Sequence, residues 1–220
     1  MTASVRVRFA PSPTGRMHMG NVRAALLNYL FARQQGGTFI LRIEDTDEQR
    51  NTDDGVDGIL ADLAWCGIVP DEGPGSSGDE LYYQSHRQEL YIQSLGWLIH
   101  AKRAYKCFCT QERLEQMRAA QRAVGLPPRY DGTCRALPEL ESNMMMAEGT
   151  PFIWRFARHD DENIQVPTFG EPLSFDMAHF HDFAITRADE SFTFLFTNAV
   201  DDIDMGITHV MRGSDHLSNT

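Results

Sequence analysis

The chain has 220 residues, of which 42% are hydrophobic, enough for one full core or for one domain that carries a smaller insert. A balance of 31 acidic against 20 basic residues gives a net charge of −11, which argues against a broad basic face for nucleic acid, so any RNA contact has to come from a local patch. No apolar run approaches the ~18 residues of a membrane span and no signal peptide is visible, so a cytoplasmic protein without membrane attachment is expected.

The first half of the sequence predicts alternating strands and helices. Residues 5–9 alternate apolar and polar side chains as in a strand, and the Pro/Gly-rich turn at 11–15 ends it. Helical spacing begins after Gly20-Asn21, and either residue can cap that helix. Residues 39–43 are typical of a buried strand, and 56–63 of the next helix. Strand, helix, strand, helix is the opening of a parallel α/β sheet.

The pattern changes near residue 105 and indicates three parts. Residues 1–104 form the first part of the α/β domain, 105–181 an inserted subdomain, and 182–220 an incomplete return to the first domain. Helices are predicted over 86–102 and 111–124. Strands are predicted over 152–156, 173–175, 183–186, 192–196 and 207–211.

The turn after the first strand has the chemistry of a phosphate site. A helix N-terminus offers free N–H groups and the positive end of the helix dipole to an anion. His18 lies one turn before the helix, and Gly20 has no side chain, so a ligand can approach the backbone. Neither of the two standard glycine-rich phosphate loops is present. On these residues alone, a tight turn with an incidental histidine is the alternative.

Four strings along the chain carry a family resemblance. They are RFAPSPTG at 8–15 with HMGN at 18–21, ILRIEDTD at 40–47, PPRYDG at 127–132, and GITHVMRG at 206–213 followed by DHLSNT at 215–220. In this order, over essentially the whole chain, they resemble class I glutamyl-tRNA synthetases. HMGN stands where the class usually has His-Ile-Gly-His, and Asn21 is a departure that the family tolerates.

The resemblance implies an α/β fold, the Rossmann-like parallel sheet of class I synthetases, with an inserted α+β subdomain that binds the tRNA acceptor stem. It also implies a glutamate–tRNA ligase, which joins glutamate and ATP to glutamyl-adenylate and transfers the glutamyl group to the 3′ end of tRNA. The implied partners are glutamate, ATP with Mg²⁺, and tRNA-Glu, with tRNA-Gln left open, and the implied state is a monomer. The first step needs no protein nucleophile, since positioning and charge stabilisation suffice for in-line attack on phosphorus.

The resemblance also assigns roles to single residues. Arg8 and Arg212 would pair with the carboxylates of glutamate, because a guanidinium binds a carboxylate through two parallel hydrogen bonds. Glu44 would accept a hydrogen bond from the α-ammonium group of the substrate glutamate. Ser12 and Asn198 complete the implied glutamate site. Phe194 aligns where many members have tyrosine and is not counted. The implied ATP motif consists of Pro11, Ser12, Pro13, Thr14, Gly15, His18, Gly20 and Asn21, of which His18, Gly20 and Asn21 form the catalytic set.

Cys107, Cys109, Tyr130 and Cys134 resemble a zinc-binding element of some family members. Between Cys109 and Cys134 lie 24 residues, as in the family pattern C-x-C, x24, C-x-H, but Ala136 stands at the histidine position. Tyr130 can complete four ligands, as in the Y-x-x-x-C pattern of the related glutamyl-queuosine synthetases. A vestigial site that holds no metal is the alternative, and both stay open.

The second ATP motif of the class, of the K-M-S-K-S type, and an anticodon domain are absent from the sequence. We therefore expect a fragment whose fold is truncated at the C-terminus and which is inactive alone. A glutamyl-queuosine tRNA(Asp) synthetase is an alternative. The long spacing from Cys109 to Tyr130 and the string at 209–220 argue against it. A glutaminyl-tRNA synthetase fits less well for the same reasons. A non-catalytic ATP- or tRNA-binding module would be signalled by loss of His18 or Arg8, and both are present.

Overall fold

A computed structural model describes residues 4–47, 51–52, 54–76, 78–158, 164–168, 170–176 and 180–213. The string at 215–220 that contributed to the family resemblance lies outside these residues. Packing divides the chain into two units, one of Met1–Tyr91 with Thr197–Thr220 and one of Ile92–Phe196. These bounds differ from the expected insert at 105–181, and the domain boundaries stay a prediction.

The first unit is built on two parallel strands and the helix that connects them. Strand β1 (Arg6–Phe9) pairs with β2 (Thr38–Leu41), with Val7 opposite Phe39 and Phe9 opposite Leu41. Helix α1 (Met19–Gln35) joins them and ends at Gly36, whose left-handed backbone (φ 61°) suits glycine. A Cβ at Gly37 would overlap the carbonyl of Val5, so only glycine lets the chain turn back beside β1.

The core of this unit forms where the strands meet α1 and α2 (Gly55–Trp65). Isolated parallel bridges pair Ile40 with Glu72 and Ile43 with Tyr83, which extends the parallel arrangement past α2. The α/β class with a parallel sheet is thereby confirmed. The buried core residues are Val7, Phe9, Ala25, Ala32, Phe39, Leu41, Ile43, Ile59, Leu63 and Ile68.

The remaining elements follow in chain order. Two short 3₁₀ turns, Asp79–Tyr82 and Gln84–Arg87, lead into α3 (Gln88–His100). After α3 come β3 (Ala104–Cys107), α4 (Gln111–Ala123), a 3₁₀ turn (Thr133–Ala136), α5 (Glu139–Ala147), β4 (Ile153–Phe156), β5 (Ile164–Val166), β6 (Leu173–Phe175) and α6 (Phe194–Asp204). In the second unit β3 pairs antiparallel with β4, and β5 with β6.

The predicted helices over 56–63, 86–102 and 111–124 and the predicted strands over 152–156 and 173–175 are confirmed. The strand predicted over 192–196 is wrong, because helix α6 begins at Phe194. The Phe192 and Phe196 rings stack at 5.3 Å, a contact between residues four apart. Apolar residues at positions i and i+4 fit both the strand period and the helix period, so this spacing did not distinguish a strand from a helix.

Two further predicted strands are not formed. Residues 183–186 make only isolated bridges, from Ala184 to Arg155 and from Thr186 to Phe192. Residues 207–211 run beside the start of β1, where the N–H of Thr208 donates to the carbonyl of Arg6 (2.9 Å). The N–H of Arg6 donates back to the Thr208 hydroxyl instead of to a carbonyl, so no regular ladder forms. None of the described helices is both long and apolar enough to cross a membrane.

Candidate functional site

The turn between β1 and α1 is anchored by its backbone and open at its side chains. The N–H of Glu44 donates to the carbonyl of Pro11, and the N–H of Thr52 to that of Pro13, each at 3.0 Å. Both prolines are buried, whereas Ser12 and Thr14 are exposed. Gly15 has φ 122°, a conformation that favours glycine. The turn therefore presents polar side chains to solvent from a fixed backbone.

His18 is the N-cap of α1, and the expectation that Gly20 or Asn21 caps this helix is wrong. The Nδ1 atom of His18 accepts a hydrogen bond from the N–H of Gly20 at 3.0 Å, which satisfies one of the unpaired N–H groups of the first turn. A Cβ at Gly20 would lie 2.8 Å from Cε1 of His18, so the ring needs glycine there. Because Nδ1 accepts, the geometry assigns the ring proton to Nε2 on an exposed side chain. Asn21 is half-buried in the first turn.

Arg8 lies on β1 and is almost fully buried, 4% exposed. Its Nε and Nη2 atoms donate to the two carboxylate oxygens of Asp202 on α6, each at 3.1 Å. Arg42, which follows β2, donates from Nη1 to Asp202 Oδ1 at 2.7 Å. Burial works to lower the pKa of Arg42, but the carboxylates of Asp202, Asp201 and Glu44 outweigh it, so its pKa lies above the usual value.

Glu44 lies next to these arginines and is also mostly buried. Its Oε1 accepts from Nδ2 of Asn198 at 2.6 Å and from Nη2 of Arg42 at 3.5 Å. Burial raises the pKa of Glu44 to about 7, against the lowering effect of the Arg42 and Arg8 charges. A carboxyl group that is half-ionised near neutral pH is a strong acceptor for a cationic ligand.

Arg212 belongs to the same cluster. Burial, and next the positive charge of Arg8, lower the pKa of Arg212, while Asp202 and Glu44 act in the opposite direction. The structure therefore brings together four of the residues singled out in the sequence, Arg8, Glu44, Asn198 and Arg212. Ser12 lies at the exposed turn that directly follows the strand of Arg8.

Sequence reasoning missed the acidic half of this cluster. Asp201 is fully buried and accepts from Gln84 (2.7 Å), from Arg87 (2.8 Å) and from the hydroxyl of Tyr91 (3.0 Å). These bonds fix α6 against the 3₁₀ turn Gln84–Arg87 and the first turn of α3. The available signal was Arg42 inside the apolar run FILRI, because a buried arginine requires carboxylate partners elsewhere in the chain.

The cysteines of the second unit come together as expected. The Sγ atoms of Cys107, Cys109 and Cys134 all lie within 4.8 Å of one another. The Tyr130 hydroxyl lies 3.3 Å from the Cys107 sulfur and 3.6 Å from the Cys109 sulfur, and Nη1 of Arg113 donates to the Cys109 sulfur at 3.3 Å. The four side chains thus face one point.

The thiols of this cluster differ in acidity. Burial opposes ionisation of Cys107, but hydrogen bonds with Tyr130 and with the N–H of Cys109, and the nearby Arg155, lower the pKa of its thiol. Burial raises the pKa of Cys109 to about 11. Burial and the hydrogen bond with Cys107 also raise the pKa of the Tyr130 hydroxyl. The cluster is therefore held together by hydrogen bonds that metal binding would replace.

A cavity of about 520 Å³ opens beside the cysteine cluster, next to Tyr130. Arginines and a histidine outnumber the acidic residues of its wall, so its lining is basic within an acidic protein. The charged residues of the wall are Arg129, Arg135, Arg158, His181, Asp131 and Asp182. This wall is a candidate for the local basic patch that an RNA contact requires in a protein of negative net charge.

The chain is similar to known proteins over its whole length. Residues 4–220 match the family of tRNA synthetases class I (E and Q), catalytic domain. Glutamate–tRNA ligase 2 of Alkalilimnicola ehrlichii is 48% identical over 99% of this chain and 46% of that protein. The glutamate–tRNA ligase of Coprothermobacter proteolyticus is 43% identical over 98% of this chain and 45% of that protein. The chain spans about half the length of the curated relatives it matches.

Two solved structures have the same fold. The glutamate-tRNA synthetase of Elizabethkingia anophelis superposes with a TM-score of 0.88 at 39% identity, over 99% of this chain and 46% of that one. The glutamate tRNA ligase of Elizabethkingia meningosepticum, in complex with its amino acid, gives a TM-score of 0.85 at 38% identity, over 98% of this chain and 45% of that one.

Proposed function

Because this chain belongs to the class I tRNA synthetase (E and Q) catalytic-domain family, we propose that the protein activates glutamate with ATP and transfers it to the 3′ end of tRNA-Glu. The observation that carries this proposal is the arrangement of charges around Glu44. The guanidinium groups of Arg8 and Arg212 lie close enough to Glu44 for their charges to interact with it or with each other. Two guanidinium groups and one carboxylate match the two carboxylates and the one ammonium group of free glutamate.

In this proposal each charged group of glutamate has a partner. Arg8 and Arg212 pair with its carboxylates, and Glu44, held by Asn198, accepts from its α-ammonium group. Ser12 adds a neutral donor at the exposed turn. Glutamine is disfavoured, because its neutral side-chain amide offers no negative charge to the guanidinium groups of Arg8 and Arg212.

ATP belongs at the turn and at the N-terminus of α1. The exposed Nε2–H of His18 is a donor for a phosphate oxygen, the positive end of the α1 dipole attracts the phosphates to the first turn at Gly20 and Asn21, and the segment from Pro11 to Gly15 shapes the approach. Mg²⁺ accompanies ATP and offsets phosphate charge. The α-carboxylate of glutamate attacks the α-phosphorus in line, an O–P bond forms, and pyrophosphate leaves. The protein contributes position and hydrogen bonds, because attack by the substrate's own carboxylate needs no protein nucleophile.

We also propose that Cys107, Cys109, Tyr130 and Cys134 hold a structural zinc ion. Tetrahedral zinc with Zn–S bonds of about 2.3 Å places sulfurs about 3.8 Å apart. The sulfurs here lie within 4.8 Å, and those of Cys109 and Cys134 are 3.5 Å apart, so the set fits. Such an ion would tie the end of β3 to the turn at Thr133–Ala136. The basic cavity next to it is where we place the acceptor stem of tRNA. A monomeric state, a cytoplasmic location and any use of tRNA-Gln stay predictions.

The test is exchange of pyrophosphate into ATP by the full-length protein, with glutamate, glutamine and aspartate, each with and without tRNA. Exchange with glutamate that requires tRNA supports the proposal. Exchange with glutamate that needs no tRNA indicates the glutamyl-queuosine type of synthetase instead. Exchange with none of the three amino acids indicates a non-catalytic module.

A further inference from the structure

Asp202 occupies one of the two edges of the Arg8 guanidinium. A guanidinium presents its five N–H groups as a rigid fork, with a side edge (Nε and one Nη) and an end edge (both Nη atoms). Both oxygens of Asp202 bind the side edge, to Nε and Nη2, each at 3.1 Å. Among the described residues no hydrogen bond reaches Nη1 of Arg8. The end edge is therefore the part of Arg8 that can bind a ligand.

Arg42 fixes Asp202 in turn. Its Nη1 donates to Asp202 Oδ1 at 2.7 Å, shorter than both bonds from Arg8, and the Arg42 side chain is fully buried. Asp201 Oδ2 lies 3.7 Å from Nε of Arg42, and Glu44 Oε1 lies 3.5 Å from its Nη2. Asp202 therefore lies between a fully buried arginine and the arginine proposed to bind substrate.

We propose that Asp202, held by Arg42, is a positioning residue that sets the plane of Arg8, so that the end edge of Arg8 faces a carboxylate of the amino acid substrate. This inference rests on the proposed function. It adds a second residue of α6 to the substrate site beside Asn198, although Asp202 does not touch the substrate. It also assigns a role to Arg42, whose burial inside the sheet is otherwise a cost.

The alternative is that Asp202 competes with the substrate carboxylate for Arg8. This role predicts the opposite effect of removing Asp202 on glutamate binding. A carboxylate that pairs with Arg8 neutralises part of its charge, so its removal would strengthen the attraction for an anionic substrate. If Asp202 positions Arg8, its removal frees the guanidinium to rotate and weakens binding. The change in KM for glutamate in Asp202→Asn, which keeps size and removes charge, therefore distinguishes the two roles.

The experiment compares four full-length proteins in glutamate-dependent pyrophosphate exchange: wild type, Asp202→Asn, Arg42→Lys and the double variant. We expect Asp202→Asn to raise KM for glutamate at least about tenfold, since misplacing a binding group by about 1 Å can cost on the order of a hundredfold. KM for ATP should change little. Arg42→Lys should raise KM for glutamate less. The effect of the double variant on KM should fall short of the product of the two single effects, because part of the effect of Arg42 passes through Asp202.

The matched control is Asp204→Asn, on the same helix. Asp204 pairs with Arg87 at 2.6 Å and has a half-exposed side chain, so this variant removes a charge from α6 without touching Arg8. Its KM for glutamate should equal that of wild type. An unchanged or lower KM in Asp202→Asn overturns the positioning role. If Asp202→Asn does not fold, an unchanged KM in Arg42→Lys overturns it as well. A wild-type protein without glutamate-dependent exchange refutes the proposed function itself, and this inference with it.

Discussion

The side-chain amide of Asn198 donates a 2.6 Å hydrogen bond to Oε1 of Glu44, joining residues 154 positions apart. Glu44 follows β2 and Asn198 lies on α6, so this bond connects the sheet to a helix formed much later in the chain. The second described bond of Glu44, from Arg42, also reaches Oε1. Among the described residues, Oε2 is thus left for a cationic group such as the α-ammonium of an amino acid.

Glutamate binding should weaken as the pH falls through about 7. The pKa of Glu44 is raised to about 7 by burial, and only the ionised carboxylate attracts an ammonium group. The acid limb of kcat/KM for glutamate, measured at saturating ATP, should therefore report a pKa near 7. In Glu44→Gln this limb should be absent and KM for glutamate should be high at every pH. A wild-type profile that is flat between pH 6 and 8 would contradict the assignment.

The same carboxyl should make stability depend on pH. Because its folded-state pKa lies above the ordinary value of 4.5, the protonated form stabilises the fold. This contribution is fully present below pH 4.5 and is lost as the pH rises through about 7, by up to about 3 kcal/mol. Urea denaturation of Glu44→Gln, which cannot ionise, should show a gain over wild type that grows between pH 5 and 8. An equal pH dependence in both proteins would exclude this effect.

Gly20→Ala should impair ATP use through His18. The new Cβ would lie 2.8 Å from Cε1 of His18, so the ring must leave its place over the helix N-terminus. We expect kcat/KM for ATP to fall by about tenfold or more, because a displaced donor no longer meets the phosphates. Gly58→Ala, on α2, is the matched control, since a Cβ at this position would meet only Cδ of Arg16, at 3.8 Å. Equal exchange rates in the two variants would show that His18 keeps its position.

Purified protein should contain about one zinc ion per chain, as expected for a four-ligand structural site. Cys109→Ser and Tyr130→Phe should both lower the zinc content, measured by elemental mass spectrometry, because each removes one of the four converging ligands. Cys66→Ser is the control, since Cys66 packs against the core of the first unit. Wild-type protein that takes up no zinc after incubation with the metal would identify the cluster as vestigial.

Asp201→Ala should destabilise the first unit strongly. Asp201 is fully buried and accepts from Gln84, Arg87 and Tyr91, so its removal takes a carboxylate away from three buried donors, one of which is a guanidinium. The expected loss is about 3–5 kcal/mol in the free energy of unfolding from urea denaturation. Asp204→Ala, which breaks a half-exposed pair with Arg87, should cost less than about 1 kcal/mol. Similar losses in both variants would contradict the role of burial.

Some features followed from the sequence because they depend on local chemistry. The alternation at 5–9, the helical spacing after residue 20 and the glycines at 36–37 determine β1, α1 and the return to β2. Local patterns failed where two periods coincide, as at Phe192 and Phe196 on the first turn of α6. They also failed at residues 207–211, where a strand was predicted. There the N–H of Arg6 donates to the Thr208 hydroxyl instead of to a backbone carbonyl, so no regular strand pairing forms.

The family strings and the residue types of the site can be recognised without the fold: the arginines and Glu44 for a charged amino acid, His18 with Gly20 for phosphates, and the three cysteines. The orientation of these side chains depends on contacts between distant parts of the chain. Asp202 and Asp201 lie 160 and 114 positions from Arg42 and Arg87, and no local pattern pairs them. A buried guanidinium requires a carboxylate, but which carboxylate reaches it depends on how α6 packs against the strands.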